Sequence, residues 1–161
     1  MTGRTQLAND AWEALLSAHA RLMKQFAAED VWGDLSIREY DVLYTLSTCP
    51  EPVRMGELHR HVLLSQPALS RLVDRLADRG LVERCPDPAD RRGVRLVLTA
   101  AGRDTQSEIG RRHAVSVARA MTETLTRDEL RTLATIGWKL ADPDRRTRGT
   151  TRNDAEEFAR T

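Results

Sequence analysis

Leu7, Ala11, Leu15, Ala18, Leu22 and Phe26 recur every three or four residues, the apolar stripe of one long amphipathic helix ending near Val31-Trp32-Gly33. Ser36-Ile37-Arg38-Glu39 reads as a capping box with Leu35 and Tyr40 at the staple positions, and it starts a second helix that stops before Cys49-Pro50. Met55, Leu58 and Val62 share one face of a short third helix, with Gly56 as its N-cap. A fourth helix follows almost at once. Ser65 caps it, Pro67 sits in its first turn, Leu69, Leu72, Val73 and Leu76 form its apolar side, and Gly80 ends it in the left-handed conformation. Two short helices joined by about three residues make a helix-turn-helix.

The period then shortens to two. Leu81-Val82-Glu83-Arg84 leads into a Pro/Asp turn, and Val94, Leu96 and Leu98 alternate with Arg95 and Val97, so two strands form a hairpin with one face on the helices. Val53-Arg54 has room for a further minor strand. Thr99-Ala100-Ala101-Gly102 opens a long fifth helix through about Met121, and Thr126-Arg127-Asp128-Glu129 is a second capping box, flanked by Leu125 and Leu130. The last helix is expected to pack Leu130, Leu133, Ala134 and Leu140, and the polar residues 141–161 to form a mobile tail. The predicted fold class is mainly α (α+β): six helices with a two-stranded β-wing, in the order α-α-α-α-β-β-α-α.

Composition narrows the function more by what it excludes. The 161 residues make one ordinary domain, with no room for a separate large catalytic one. No apolar run approaches the roughly 18 residues of a membrane span, and Met1 to Gln6 lack a signal core, so a soluble cytoplasmic protein is expected. Cys49 and Cys85 are too isolated for a disulfide framework or a zinc site. His59 and His61 stand two apart and His113 alone, so no pair has metal-ligand spacing. Neither a phosphate loop nor a nucleophile constellation is present, and no enzyme, metal or cofactor is expected.

Net charge is only +1, yet Arg54 to Arg103 holds ten arginines against six acids. The positive charge is concentrated on the helix-turn-helix and hairpin. On the fourth helix Pro67, Ser70, Arg71, Asp74 and Asp78 point away from the apolar side with Gln66 and Arg75 on the flanks, so the N-terminal half, with Ser65 and Ala68, is presented outward. A helix tip bearing hydroxyls, an amide and a guanidinium suits the major groove of double-stranded DNA; Gln66 fits adenine, Arg71 a base edge and Arg75 a phosphate. Arg91 and Arg92, beside Asp90 on the turn between the strands, suit the neighbouring minor groove.

These segments resemble the multiple antibiotic resistance regulator (MarR) family of bacterial transcription factors, winged helix-turn-helix proteins, over about Leu7 to Leu140. The most specific parts are Leu69-Ser70-Arg71-Leu72-Val73-Asp74-Arg75-Leu76, Arg79-Gly80-Leu81-Val82-Glu83-Arg84, and Asp90-Arg91-Arg92 followed by Leu98-Thr99-Ala100-Ala101-Gly102. The resemblance implies a homodimer joined through residues 7–32 and 100–140, with residues 36–99 of each subunit reading one half of a palindromic operator. Ser65 to Arg71 and Arg75 then fall on the recognition helix, and Asp90 braces Arg92 on the wing. It also implies a repressor that often binds a small aromatic acid or phenol between the two regions, where His19, Trp32, Tyr40 and Tyr44 are the candidate lining. Leu63-Leu64 departs from the glycine that the family often carries in the turn. Two other readings stay open: a thiol-based redox sensor of the same fold using Cys49 or Cys85, and a protein-interaction module.

Overall fold

The computed structural model describes residues 3–142, and for Arg91 and Arg92 the main chain alone. Six helices form where the apolar stripes place them: α1 (Gly3–Ala27), α2 (Ile37–Ser47), α3 (Met55–His59), α4 (Gln66–Asp78), α5 (Ala100–Thr122) and α6 (Arg127–Ala141). Three strands accompany them: β1 (Val53–Arg54), β2 (Val82–Asp87) and β3 (Asp90–Leu98). The minor strand is thus real. It makes the wing a three-stranded antiparallel sheet in the order β1-β3-β2, with Val53 paired to Leu96 and Arg54 to Arg95. The chain divides into two compact units between Ala118 and Arg119.

In the first unit, side chains from three helices and a strand seal the core. Val42 and Leu43 of α2, Leu58 of α3, Leu69, Val73 and Leu76 of α4, and Leu96 and Leu98 of β3 are all essentially inaccessible. Alternation on β3 explains why Leu96 and Leu98 point the same way. The cap of α2 forms as the sequence predicts: Glu39 N–H donates to Ser36 Oγ at 3.3 Å, and Ser36 N–H donates to the Glu39 carboxylate at 2.8 Å. Gly80, at φ 69°, closes α4, and the Leu81 N–H reaches back to the Leu76 carbonyl at 2.9 Å.

Thr99 locks the wing to α5. Its hydroxyl donates to the Gly80 carbonyl at 2.7 Å and accepts from the Gly102 N–H at 2.9 Å. This draws the start of α5 onto the main chain at Leu81, where a Cβ on residue 102 would stand 2.0 Å from the Leu81 carbonyl oxygen.

Several boundaries differ from expectation for local reasons. α1 ends at Ala27, because Trp32 folds back and donates its indole N–H to the Phe26 carbonyl at 2.7 Å, while Gly33 turns the chain at φ 60°. α3 starts at Met55, since the Glu57 carboxylate accepts the Arg54 N–H at 2.9 Å; Gly56 therefore lies inside the helix, which ends at His59 instead of Val62. Ser65 stands at the N-cap of α4 but makes no side-chain capping bond. Pro67, the second helical residue, has no N–H, which removes one of the two donors an N-cap side chain uses.

α6 forms behind its capping box, with Thr126 Oγ1 accepting from Glu129 N–H at 3.4 Å, yet it buries no residue. Of the residues expected to pack, Leu133, Ala134 and Leu140 are exposed and Leu130 is half-buried among the described residues. Residues 3–20 of α1 are exposed throughout as well. No helix among the described residues is long and apolar enough to cross a membrane. From residue 143 on, the predicted tail lies outside the described residues.

Candidate nucleic-acid interface

α4 owes its presentation to a strongly one-sided sequence. Leu69, Leu72, Val73 and Leu76 are buried, while Ser65, Gln66, Pro67, Arg71 and Arg75 are exposed and Ala68 and Ser70 are half-buried. Ser65 to Arg71 of the predicted set therefore lie in the N-terminal half of the helix, while Arg75 stands in its last turn. Two ion pairs hold this helix against its neighbours. Arg84 of β2 binds Asp74, and Arg75 Nε lies 3.3 Å from Glu39 Oε1 of α2. Arg75 thus ties α2 to α4 while remaining more than half exposed. Burial works to raise the Glu39 carboxyl, but the Ser36 hydrogen bonds and the Arg75 guanidinium outweigh it and hold the group below the ordinary carboxylate range.

The wing differs from a simple Arg-bearing turn. Its tip is Pro88-Ala89, closed by the pair Asp87 and Asp90, and the next pairing is Pro86 with Val94. Arg91, Arg92 and Gly93 consequently form a bulge on β3 opposite the step from Pro86 to Asp87. At the root of that bulge sits a residue that the sequence marked only as one more acid. Asp87 has a fully shielded side chain, pairs with Arg54 Nε of β1, and lies 3.2 Å from Arg95 Nε of β3. Its Oδ1 also accepts the Ala89 N–H at 3.0 Å. The hydrogen bond from Arg54, helped by the Ala89 N–H and the charge of Arg95, holds the Asp87 carboxyl down at about 2. No local signal announces this contact, because Arg54 and Asp87 are 33 residues apart.

The candidate ligand residues are only partly brought together. Trp32, Tyr40 and Tyr44 form a run of rings, with centroids 5.3 Å apart for Trp32 and Tyr40 and 6.2 Å for Tyr40 and Tyr44. His19 lies on the exposed stretch of α1 and touches none of them. The imidazole in this cluster is instead His113 of α5, which the sequence left standing alone. Its ring is 4.7 Å from Trp32, 5.0 Å from Phe26 and 5.8 Å from Tyr40. Two clefts of about 330 and 480 Å³ lie elsewhere, on either side of Cys49-Pro50-Glu51-Pro52. The Cys49 thiol donates to the Thr45 carbonyl at 3.2 Å, and Cys85 pairs across the sheet with Arg95.

Burial lowers the pKa of His113, a trend that the nearby Glu29 carboxylate only partly opposes. The fold therefore prefers the neutral ring, and the unfolded chain takes up more protons as pH falls through about 6.5. Stability should fall between pH 7.5 and 5.5, and His113→Phe should flatten that slope while keeping the ring contacts. Thermal melts of both proteins across this range check it; parallel slopes would refute the assignment.

A helix pair whose second member presents a polar, basic end, flanked by an antiparallel hairpin with arginines beyond its tip, defines a winged helix-turn-helix protein. The MarR-family sequence model matches residues 33–93. The multiple antibiotic resistance protein MarR of Escherichia coli (strain K12) is 33% identical over 102 residues, covering 62% of this chain and 69% of that protein. Among solved structures, AbsC, a MarR family transcriptional regulator from Streptomyces coelicolor, has a TM-score of 0.71 at 27% identity, covering 90% of this chain and 97% of that one. Sco3205 from the same organism, also a MarR family regulator and solved in complex with DNA, has a TM-score of 0.70 at 26% identity over 89% of each chain. The chain belongs to the MarR family of transcriptional regulators.

Proposed function

We propose that this protein is a homodimeric, cytoplasmic repressor that reads a palindromic operator in double-stranded DNA and is released by a small aromatic acid or phenol. The observation carrying the DNA reading is that helix end and wing are tied into one body: the Arg84 and Asp74 pair joins β2 to α4, so the exposed Ser65 to Arg71 end and the Arg91-Arg92 bulge keep a set spacing. Residues 36–99 do the reading, with Ser65, Gln66, Pro67, Ala68, Ser70 and Arg71 in the major groove, Arg75 toward a phosphate, and Asp90, Arg91 and Arg92 at the minor groove. Residues 7–32 and 100–140 join the subunits. The ring run Trp32, Tyr40 and Tyr44, whose last member is exposed, supports a flat effector at the edge of that region.

Selection of binding sites from random duplexes tests this reading. The expected product is a palindrome of roughly 16 to 20 base pairs, two half-sites about one turn apart. Affinity for it should fall steeply as salt rises. A chain that recovers no sequence and binds a protein partner with no salt dependence is an interaction module instead. On the selected duplex, Arg92→Ala is expected to weaken binding by at least about 1 kcal/mol, the loss of one charged contact. Unchanged affinity in a gel-shift titration would remove Arg92 from the interface.

A further inference from the structure

Arg54 and Arg95 are directly paired across β1 and β3, which sets two like charges side by side, an unfavourable arrangement in a sheet. Asp87 resolves it by meeting both guanidinium groups from the end of β2. The same carboxylate also binds the Ala89 N–H in the tip, and its Cβ lies 3.0 Å from where a Cβ on Gly93 would stand. Asp87 therefore touches the tip, both flanking strands and the last residue of the bulge. Bulges re-aim the residues they carry. This one carries Arg91 and Arg92.

We infer that Asp87 is the positioning residue of the wing, an anionic latch between Arg54 and Arg95 that sets the direction in which the β3 bulge presents Arg91 and Arg92 to DNA. The inference rests on the DNA-binding reading above. Asp87 itself is shielded and contacts no phosphate, so its effect on affinity runs through the bulge. That gives its removal a sign opposite to the one charge alone would produce. Losing a carboxylate adds one positive charge per subunit and frees two guanidinium groups, which by electrostatics should tighten DNA binding and steepen its salt dependence. Losing a latch misdirects the bulge, which weakens binding and makes the salt dependence shallower.

The test is Asp87→Asn against the wild-type protein on the selected duplex, titrated at several salt concentrations. Circular dichroism and melting establish that the variant is folded. The expected result is roughly tenfold weaker binding at low salt, one charged contact's worth. A slope of log affinity against log salt shallower by about 1 to 2 should accompany it, as one or two phosphate contacts disengage. Equal or tighter binding with an equal or steeper slope overturns the inference. Should Asp87→Asn fail to fold, Gly93→Ala decides, since it keeps every charge and presses on the pair that closes the tip, at 3.0 Å on the Asp87 Cβ and at 3.2 Å on the Cβ and carbonyl oxygen of Asp90. Weaker binding at an unchanged melting temperature supports the latch, and wild-type affinity overturns it. A wild-type protein that binds no duplex is a separate result: it refutes the DNA reading, and the latch with it.

Discussion

Trp12→Glu combined with Leu16→Glu should leave the protein monomeric in sedimentation and abolish its hold on the operator. α1 is 25 residues long and buries only Phe26 within its own chain, while Leu7, Trp12, Leu15 and Leu16 are between 44% and 69% exposed. A helix of this kind gains most of its stability by covering its apolar face. In α6, Leu133, Ile136, Trp138 and Leu140 are exposed as well. A second copy of the chain is the partner proposed for both helices. In a two-fold dimer each substitution is made twice, so at about 1.5 kcal/mol per apolar side chain the pair of changes costs the dimer about 6 kcal/mol or more. A monomer occupies a single half-site and loses the gain from simultaneous engagement, which is commonly a factor of about 100 or more. The double variant running as a dimer with unaltered operator affinity would show that these side chains face something else.

Gly102→Ala should lower the unfolding free energy by about 3 kcal/mol, the upper part of the range for overpacking. The added methyl group meets the Leu81 carbonyl oxygen at 2.0 Å, and this neighbour is main chain that cannot rotate away. Relief requires α5 to move off the wing, which breaks the Thr99 bridge between the Gly80 carbonyl and the Gly102 N–H. Urea unfolding of the variant measures the loss. A change under about 0.5 kcal/mol, the size of an ordinary surface substitution, would mean that the close approach relaxes freely.

The motif Thr99-Ala100-Ala101-Gly102 was legible in the chain as a helix start, but its physical reason was not, since Leu81 lies 21 positions earlier. The same divide runs through the whole molecule. Capping boxes at Ser36 and Thr126 were readable because both partners fall within one turn. The apolar sides of α2 and α4, and the alternation on β3, were readable because periodicity is local. The partners of Asp87 and the companions of His113 were not, because tertiary pairing leaves no periodic trace. His19 shows the converse error. It stands seven positions before Phe26 on α1, about two turns of helix away, and only Phe26 reaches the ring cluster. Arg91 and Arg92, expected on the turn between the strands, lie inside β3, because their bulge depends on a register that only strand pairing sets.

The pairing of Val53 with Leu96 encloses all of α3 and α4 between its two strands. The β2–β3 hairpin can begin to pair once the chain is released past Val94, whereas β1 gains its partner only when Leu96 has followed, long after α3 and α4 have emerged. Closing so long a loop is also a slow step relative to helix formation. α4 is thus ready first, and the strand that joins the two ends of the wing arrives last.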